Sequence, residues 1–188
     1  FAMGDNTLLV TYHPVTLEHQ SAEQQMKALL KALDDFGDCQ FLFTLPNADA
    51  GGRVIIECIR EFVRAHPGRA YAFPSLGQLR YLSALQFVKA VIGNSSSGII
   101  EVPYFGKPTV NIGDRQKGRI RPGSVIDVKP SAPAITAGIR KALSPAFEKK
   151  CRTVHSPYGK GEAAKKILEI IRKAGKLHSV KKHFFDLI

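Results

Sequence analysis

Residues 91–101 read VIGNSSSGIIE: Gly93 and Asn94, three consecutive serines, a second glycine at Gly98, and a carboxylate at Glu101. Hydroxyls beside the backbone amides that open a helix make a cradle for an anion, because those first N–H groups have no intrahelical partner. Gly93 and Gly98 would let the backbone turn sharply and approach a ligand closely. Glu101, about one helical turn further on, offers two acceptor oxygens suited to the vicinal diol of a ribose. The same letters fit a plain serine cap followed by a solvated helix glutamate. Spelling alone leaves the two readings level.

The elements that must position these residues are legible from periodicity. Thr7–Tyr12 is a short run of β-formers, and Ser21-Ala22-Glu23-Gln24 fits a capping box ahead of Met26, Leu29, Leu30 and Leu33 at helical spacing, with Gly37 as the closing residue. A strand at Gln40–Thr44 is followed by the turn-rich PNADAGG, then a helix at Arg53–Ala65 with Ile55, Ile56, Ile59, Phe62 and Val63 on its apolar face. Ala70–Phe73, Ala90–Ile92, Thr109–Ile112 and Val125–Val128 read as further strands. Leu76–Phe87, Gly98–Phe105, Ala132–Leu143 and Gly161–Ala174 read as helices, with Gly106 and Pro108 stopping the second of these. Gly113–Ser124 is a polar loop.

Strands alternating with helices at this spacing predict an α/β fold, a Rossmann-like doubly wound parallel sheet. Ligands of such sheets bind beyond the carboxyl ends of the strands. His13, Asn47, Phe73, Ser95–Ser97 and Arg115 all fall at those ends.

Composition narrows the function classes. With 188 residues, 44% hydrophobic and 23% charged, the chain fits one domain with a real core. No apolar run approaches the ~18 residues of a membrane span. The opening FAMG reads as a tag remnant (residues 1–4), leaving a nucleotide-binding domain over 5–175 and a tail helix over 176–188. Cys39, Cys58 and Cys151 have no metal or redox spacing, so reduced thiols in a cytoplasmic protein are expected. The net charge of +11 raises nucleic acid as a partner, but Lys and Arg are spread out and no nucleic-acid-binding motif is present. A positive cleft for a small phosphate ligand accounts for the charge equally well.

The block GNSSSGIIEVPYFGKPTVNIGDRQKGR, with His13-Pro14-Val15-Thr16 and Pro46-Asn47-Ala48-Asp49-Ala50-Gly51 upstream, resembles the signature of the UDP-N-acetylglucosamine 2-epimerases. Tyr12-His13-Pro14 replaces the Thr-His-Arg typical of non-hydrolysing members, which favours the hydrolysing branch that forms N-acetylmannosamine. The resemblance implies the C-terminal, nucleotide-binding half of a glycosyltransferase-B-type fold. It also implies UDP and UDP-N-acetylglucosamine as ligands, a separate N-terminal half as partner, a homo-oligomer at full length, and no cofactor, metal, nucleic acid or membrane.

Residue by residue, it places His13 at the diphosphate, Asn47 at the nucleotide-sugar site, and the backbone of Phe73 at the base. Ser95 and Ser96 become the phosphate pair, Glu101 the ribose ligand, and Arg115 an active-site cation, with His13 and Arg115 as the catalytic candidates; Ser97 falls where relatives vary. Gln116 and Arg119 are read as loop-shaping, and His19, His66, His155, His178 and His183 as surface residues. The implied chemistry removes the C2 proton with loss of UDP from C1, then adds water to the glycal with inversion at C2. Its acid/base carboxylates belong to the absent half. A glycosyltransferase-B sugar transferase and a non-catalytic basic nucleic-acid-binding domain are the alternatives.

Overall fold

Apolar residues occur at consecutive positions in the strands, which means that both faces of the sheet must be covered. In the computed structural model, which describes residues 2–15, 21–47, 51–159 and 161–174, six parallel strands form one sheet. They are β1 (Thr7–Thr11), β2 (Gln40–Thr44), β3 (Ala70–Phe73), β4 (Ala90–Gly93), β5 (Thr109–Ile112) and β6 (Val125–Val128), in the order β3-β2-β1-β4-β5-β6. The helices are α1 (Ala22–Asp34), α2 (Gly52–Ala65), α3 (Gly77–Phe87), α4 (Ser97–Ile100), α5 (Ala132–Ala142), α6 (Pro145–Cys151) and α7 (Ala163–Ala174).

The period-2 pleat sorts the core into two layers. Leu8, Val10, Phe41, Phe43 and Ile92 pack with Leu29 and Leu33 of α1, Ile55 and Ile59 of α2, and Ile135 and Ile139 of α5. Leu9, Leu42 and Val91 point the other way and pack with Ala84 and Leu85 of α3 and with Val102. β1 pairs with both β2 and β4, so the strand order reverses there and a crevice opens beyond their carboxyl ends.

The expected strands are present within a residue of their expected bounds. Four local readings change. The helix expected over Gly98–Phe105 is one α turn, α4, followed by a 3-10 turn at Val102–Phe105 with Pro103 inside it, closed by left-handed Gly106. α6 went unread, although Ser144 caps it by accepting from the Phe147 N–H, Pro145 opens it, and Phe147 and Cys151 are buried at helical spacing. Ser21 takes helical angles and makes no side-chain cap, so the capping box is not formed. α1 closes at Asp35, and Gly37 is not left-handed.

The chain divides into two compact units, Phe1–Pro157 and Tyr158–Ile188. The second contains α7, which is exposed along its length, including Ile167, Leu168, Ile170 and Ile171. Thr16, residues 48–50 of the Asn47 loop, His19 and the expected tail helix lie outside the described residues. Gly4, read as part of a tag, donates its N–H to Gln40 Oε1 at 2.7 Å, and Met3 packs on the α3 side of the core. No helix among the described residues is long and apolar enough to cross a membrane.

Candidate functional site

Thr11 and Thr44 end β1 and β2 on the face where Leu9 and Leu42 form the apolar layer. Two hydroxyls therefore replace the next hydrophobic pair, and they bond each other at 2.6 Å while almost fully buried. They form part of the lining of a cleft of about 490 Å³ beyond the strand ends. His13, Asn47, Ser95, Ser97, Tyr81 and Glu101 line it as well, together with the stretch from Pro74 to Gln78. Among the described residues lining this cleft there is no lysine or arginine, and Glu101 is the only carboxylate. The donors among the described lining residues are hydroxyls, side-chain amides and His13.

Asn94 organises the rim, and its role escaped the sequence reading. Fully buried, it accepts from the His13 N–H through Oδ1 and donates through Nδ2 to the His13 carbonyl, both at 2.8 Å. This reciprocal pair ties the chain leaving β1 to the chain leaving β4 where the strands stop pairing. The Asn94 carbonyl in turn accepts from Gln116 Nε2 at 2.8 Å and from an Arg115 guanidinium N–H at 3.1 Å. Those two bonds dock the loop after β5 against the serine run. Buried Gln116 is thereby a loop anchor.

The glycines of the run are required by contacts within the protein. A Cβ on Gly93, at φ +143°, would lie 1.9 Å from the Thr11 carbonyl oxygen. One on Gly98 would lie 2.6 Å from Thr109 Cγ2, and the Thr109 hydroxyl donates to the Gly98 carbonyl at 2.7 Å. Both glycines permit close approach of protein to protein: β4 to β1, and α4 to β5. The short α4 also alters the anion argument. Four residues align too few peptide dipoles for a strong end charge, so the cradle depends on hydroxyls and individual amides.

Of the candidates, the structure brings His13, Asn47, Ser95 and Glu101 together around the cleft. Ser97, where relatives vary, lines it too, whereas Ser96 is the residue preceding α4 and is absent from the lining. The Ser97 hydroxyl bonds the Tyr81 hydroxyl at 2.5 Å. Burial raises the Tyr81 pKa, the Ser97 hydrogen bond lowers it, and the nearby Glu101 charge raises it. Phe73 packs partly into the apolar layer, and its carbonyl accepts from the Leu45 N–H at 3.0 Å, so the cleft is lined by the residues after it. Arg115 is exposed apart from its bond to Asn94.

Outside the cleft, His66 is more than a surface residue. It stacks on Phe62 with ring centroids 4.1 Å apart, and its Nε2 lies 3.0 Å from an Asp34 carboxylate oxygen. The three cysteines are buried and free, and burial pushes the Cys39 and Cys151 thiols up to about 11. Among the described residues no group of His, Cys, Asp and Glu could hold a metal ion.

The family model of the UDP-N-acetylglucosamine 2-epimerases matches residues 2–172. A GDP/UDP-N,N'-diacetylbacillosamine 2-epimerase (hydrolysing) of Campylobacter jejuni is 45% identical over 119 residues, 63% of this chain and 31% of the relative. The polysialic acid biosynthesis protein P7 of Escherichia coli is 38% identical over 168 residues, 87% of this chain and 42% of that protein. The chain therefore spans less than half the length of these relatives. In fold it is similar to the UDP-N-acetylglucosamine 2-epimerase of Neisseria meningitidis solved with UDP-N-acetylglucosamine, at TM-score 0.64 and 17% identity, covering 92% of this chain and 45% of that one. It is similar also to a UDP-glucose:anthocyanidin 3-O-glucosyltransferase solved with UDP, at TM-score 0.55 and 16% identity, covering 93% and 37%. At such identities the two structures speak for the glycosyltransferase-B-like fold alone.

Proposed function

The chain belongs to the UDP-N-acetylglucosamine 2-epimerase family, and from that premise we propose that it is the nucleotide-sugar-binding half of a hydrolysing epimerase. The reaction proposed is conversion of UDP-N-acetylglucosamine to N-acetylmannosamine and UDP. The observation that carries this reading is the hydroxyl-lined cleft at the β1/β4 reversal, with Glu101 the one carboxylate among its described lining residues. In this reading residues 5–175 are the nucleotide-binding domain. Ser95 holds the diphosphate with His13 and Arg115, Ser96 from outside the described lining offers at most its backbone N–H, Glu101 takes the ribose hydroxyls, and Asn47 reaches the sugar side. The base lies against the chain that follows Phe73.

In the first step a base removes the C2 proton while the C1–O bond breaks, and its electron pair leaves on the β-phosphate oxygen of UDP. Water then returns a hydroxyl to C1 and a proton to the opposite face of C2. Hydroxyl and amide donors fixed around the diphosphate stabilise the charge that grows on the leaving group. Glu101, occupied by the ribose, is not free for the proton transfers, and groups outside this chain perform them.

UDP is expected to stabilise the chain against heat more than UMP, and UMP more than uridine. At ~100-fold excess over Kd the gain is about 2.7 kcal/mol. A thermal-shift series with these ligands, with GDP, and with the UDP conjugates of N-acetylglucosamine and N,N'-diacetylbacillosamine tests both the site and the sugar. Equal shifts from uridine and UDP would contradict a diphosphate site.

Glu101→Gln keeps the side-chain shape but removes the charge that strengthens bonds to ribose hydroxyls, a loss of about 1–2 kcal/mol in UDP binding. Calorimetry with 2′,3′-dideoxy-UDP should show almost no effect of the same substitution. A comparable loss for the dideoxy compound would make Glu101 a structural residue.

A further inference from the structure

We propose that Tyr81 is a positioning residue that holds the Ser97 hydroxyl as a donor toward the phosphates of a nucleoside diphosphate. The proposal rests on the nucleotide-sugar reading of the cleft.

Tyr81 and Ser97 both line the cleft and bond each other through their hydroxyls. Each hydroxyl carries one proton, and their mutual bond uses only one of the two. Either hydroxyl can donate in the free chain; the phenol is the more acidic of the two, so when an anion takes the Ser97 proton Tyr81 donates and Ser97 accepts. Burial is the main influence on the Tyr81 phenol and favours the neutral, proton-bearing form that this donation needs. The Ser97 proton then remains to be given to a ligand, and accepting a bond from Tyr81 polarises Ser97 and strengthens that gift.

Position supports the same role. The Ser97 N–H lies 3.4 Å from Ser95 Oγ, and Glu101 stands four residues further along the same wall. Ser97 is therefore placed between the residue proposed for phosphate and the one proposed for ribose. Arg115, the arginine proposed for the diphosphate, is not among the described lining residues, so oriented hydroxyls carry much of the donation within the lining itself. Tyr81 comes from α3, packed on the Leu9–Leu42 layer, so its reach across to Ser97 is fixed by the core.

The test is a double-mutant cycle on this chain, read by calorimetric titration of UDP and of uridine, with melts in the absence of ligand. Tyr81→Phe and Ser97→Ala should each weaken UDP binding about tenfold, the size of one charge-assisted hydrogen bond. The double variant should lose little more than either single one, and uridine binding should change less than about twofold throughout. Losses that multiply in the double variant, or that strike uridine as hard as UDP, would overturn the proposal and leave Tyr81 as packing. If Tyr81→Phe melts too early to titrate, Ser97→Ala alone decides: unchanged UDP affinity overturns it. Failure of the wild-type chain to prefer UDP over uridine would overturn the nucleotide-sugar reading as well, and so separates the two.

Discussion

Gly93→Ala is expected to destabilise the fold by roughly 3–5 kcal/mol, a large part of the ~5–15 kcal/mol by which a domain of this kind is stable. Two costs add. At φ +143° a side chain strains its own backbone, and its Cβ would lie 1.9 Å from the Thr11 carbonyl oxygen. Relief would require β1 and β4 to separate where Thr11 and Gly93 are register partners. The Asn94 pair to His13 begins one residue later, so the cleft rim would distort with them. Gly113→Ala is the control. It too has positive φ, at +73°, but nothing lies within 4 Å of its Cβ, so only the conformational cost of about 1 kcal/mol applies. Urea unfolding of both variants separates clash from backbone strain. Equal losses would mean that the close approach at Gly93 is not what fixes the strand ends.

The second large effect is expected in turnover. A cleft enzyme needs one wall to hold the leaving nucleotide and another to place acid and base groups at C2 and C1. With Glu101 the only carboxylate among the described lining residues, the chain alone should release no N-acetylmannosamine from UDP-N-acetylglucosamine. A full-length protein containing it should turn over, and there Arg115→Ala should reduce kcat/KM by about 10²-fold, the usual size of losing one preorganised charge stabiliser. Gln116 still docks the loop to Asn94 in that variant, so its melting temperature should barely move and the loss can be read as charge. Steady-state kinetics with product detection checks both outcomes. Sustained turnover by the 188-residue chain, abolished by Glu101→Ala, would place the proton chemistry here and overturn this division.

The strands, their alternation with helices, and the clustering of unusual residues at strand ends were all written in the sequence. Period and turn chemistry are local properties, and β2, β3, β5 and β6 begin and end where the pattern of Gln40–Thr44, Ala70–Phe73, Thr109–Ile112 and Val125–Val128 said. Family membership was legible too: the block from Gly93 to Arg119 resembles the family signature, and the family model matches residues 2–172. The threonines ending TLLVT and QFLFT were a signal that went unused: each breaks an apolar face at its last position.

What spelling left open was which atoms meet. Asn94 reads as one more turn residue until the sheet sets β4 beside β1, and only then does its amide span both backbone groups of His13. Ser96 and Ser97 are equivalent as letters, and the direction of α4 alone decides that Ser97 faces the cleft and Tyr81. Gly93 and Gly98 announced tight geometry without saying against what; the neighbours are Thr11 and Thr109, from strands adjacent in space. Sequence determined the elements because dihedral preference and hydrophobic period act over a few residues. Tertiary structure decided the site because a hydrogen bond or a steric contact depends on angstrom-scale distances between residues tens of positions apart, which only the packed sheet fixes.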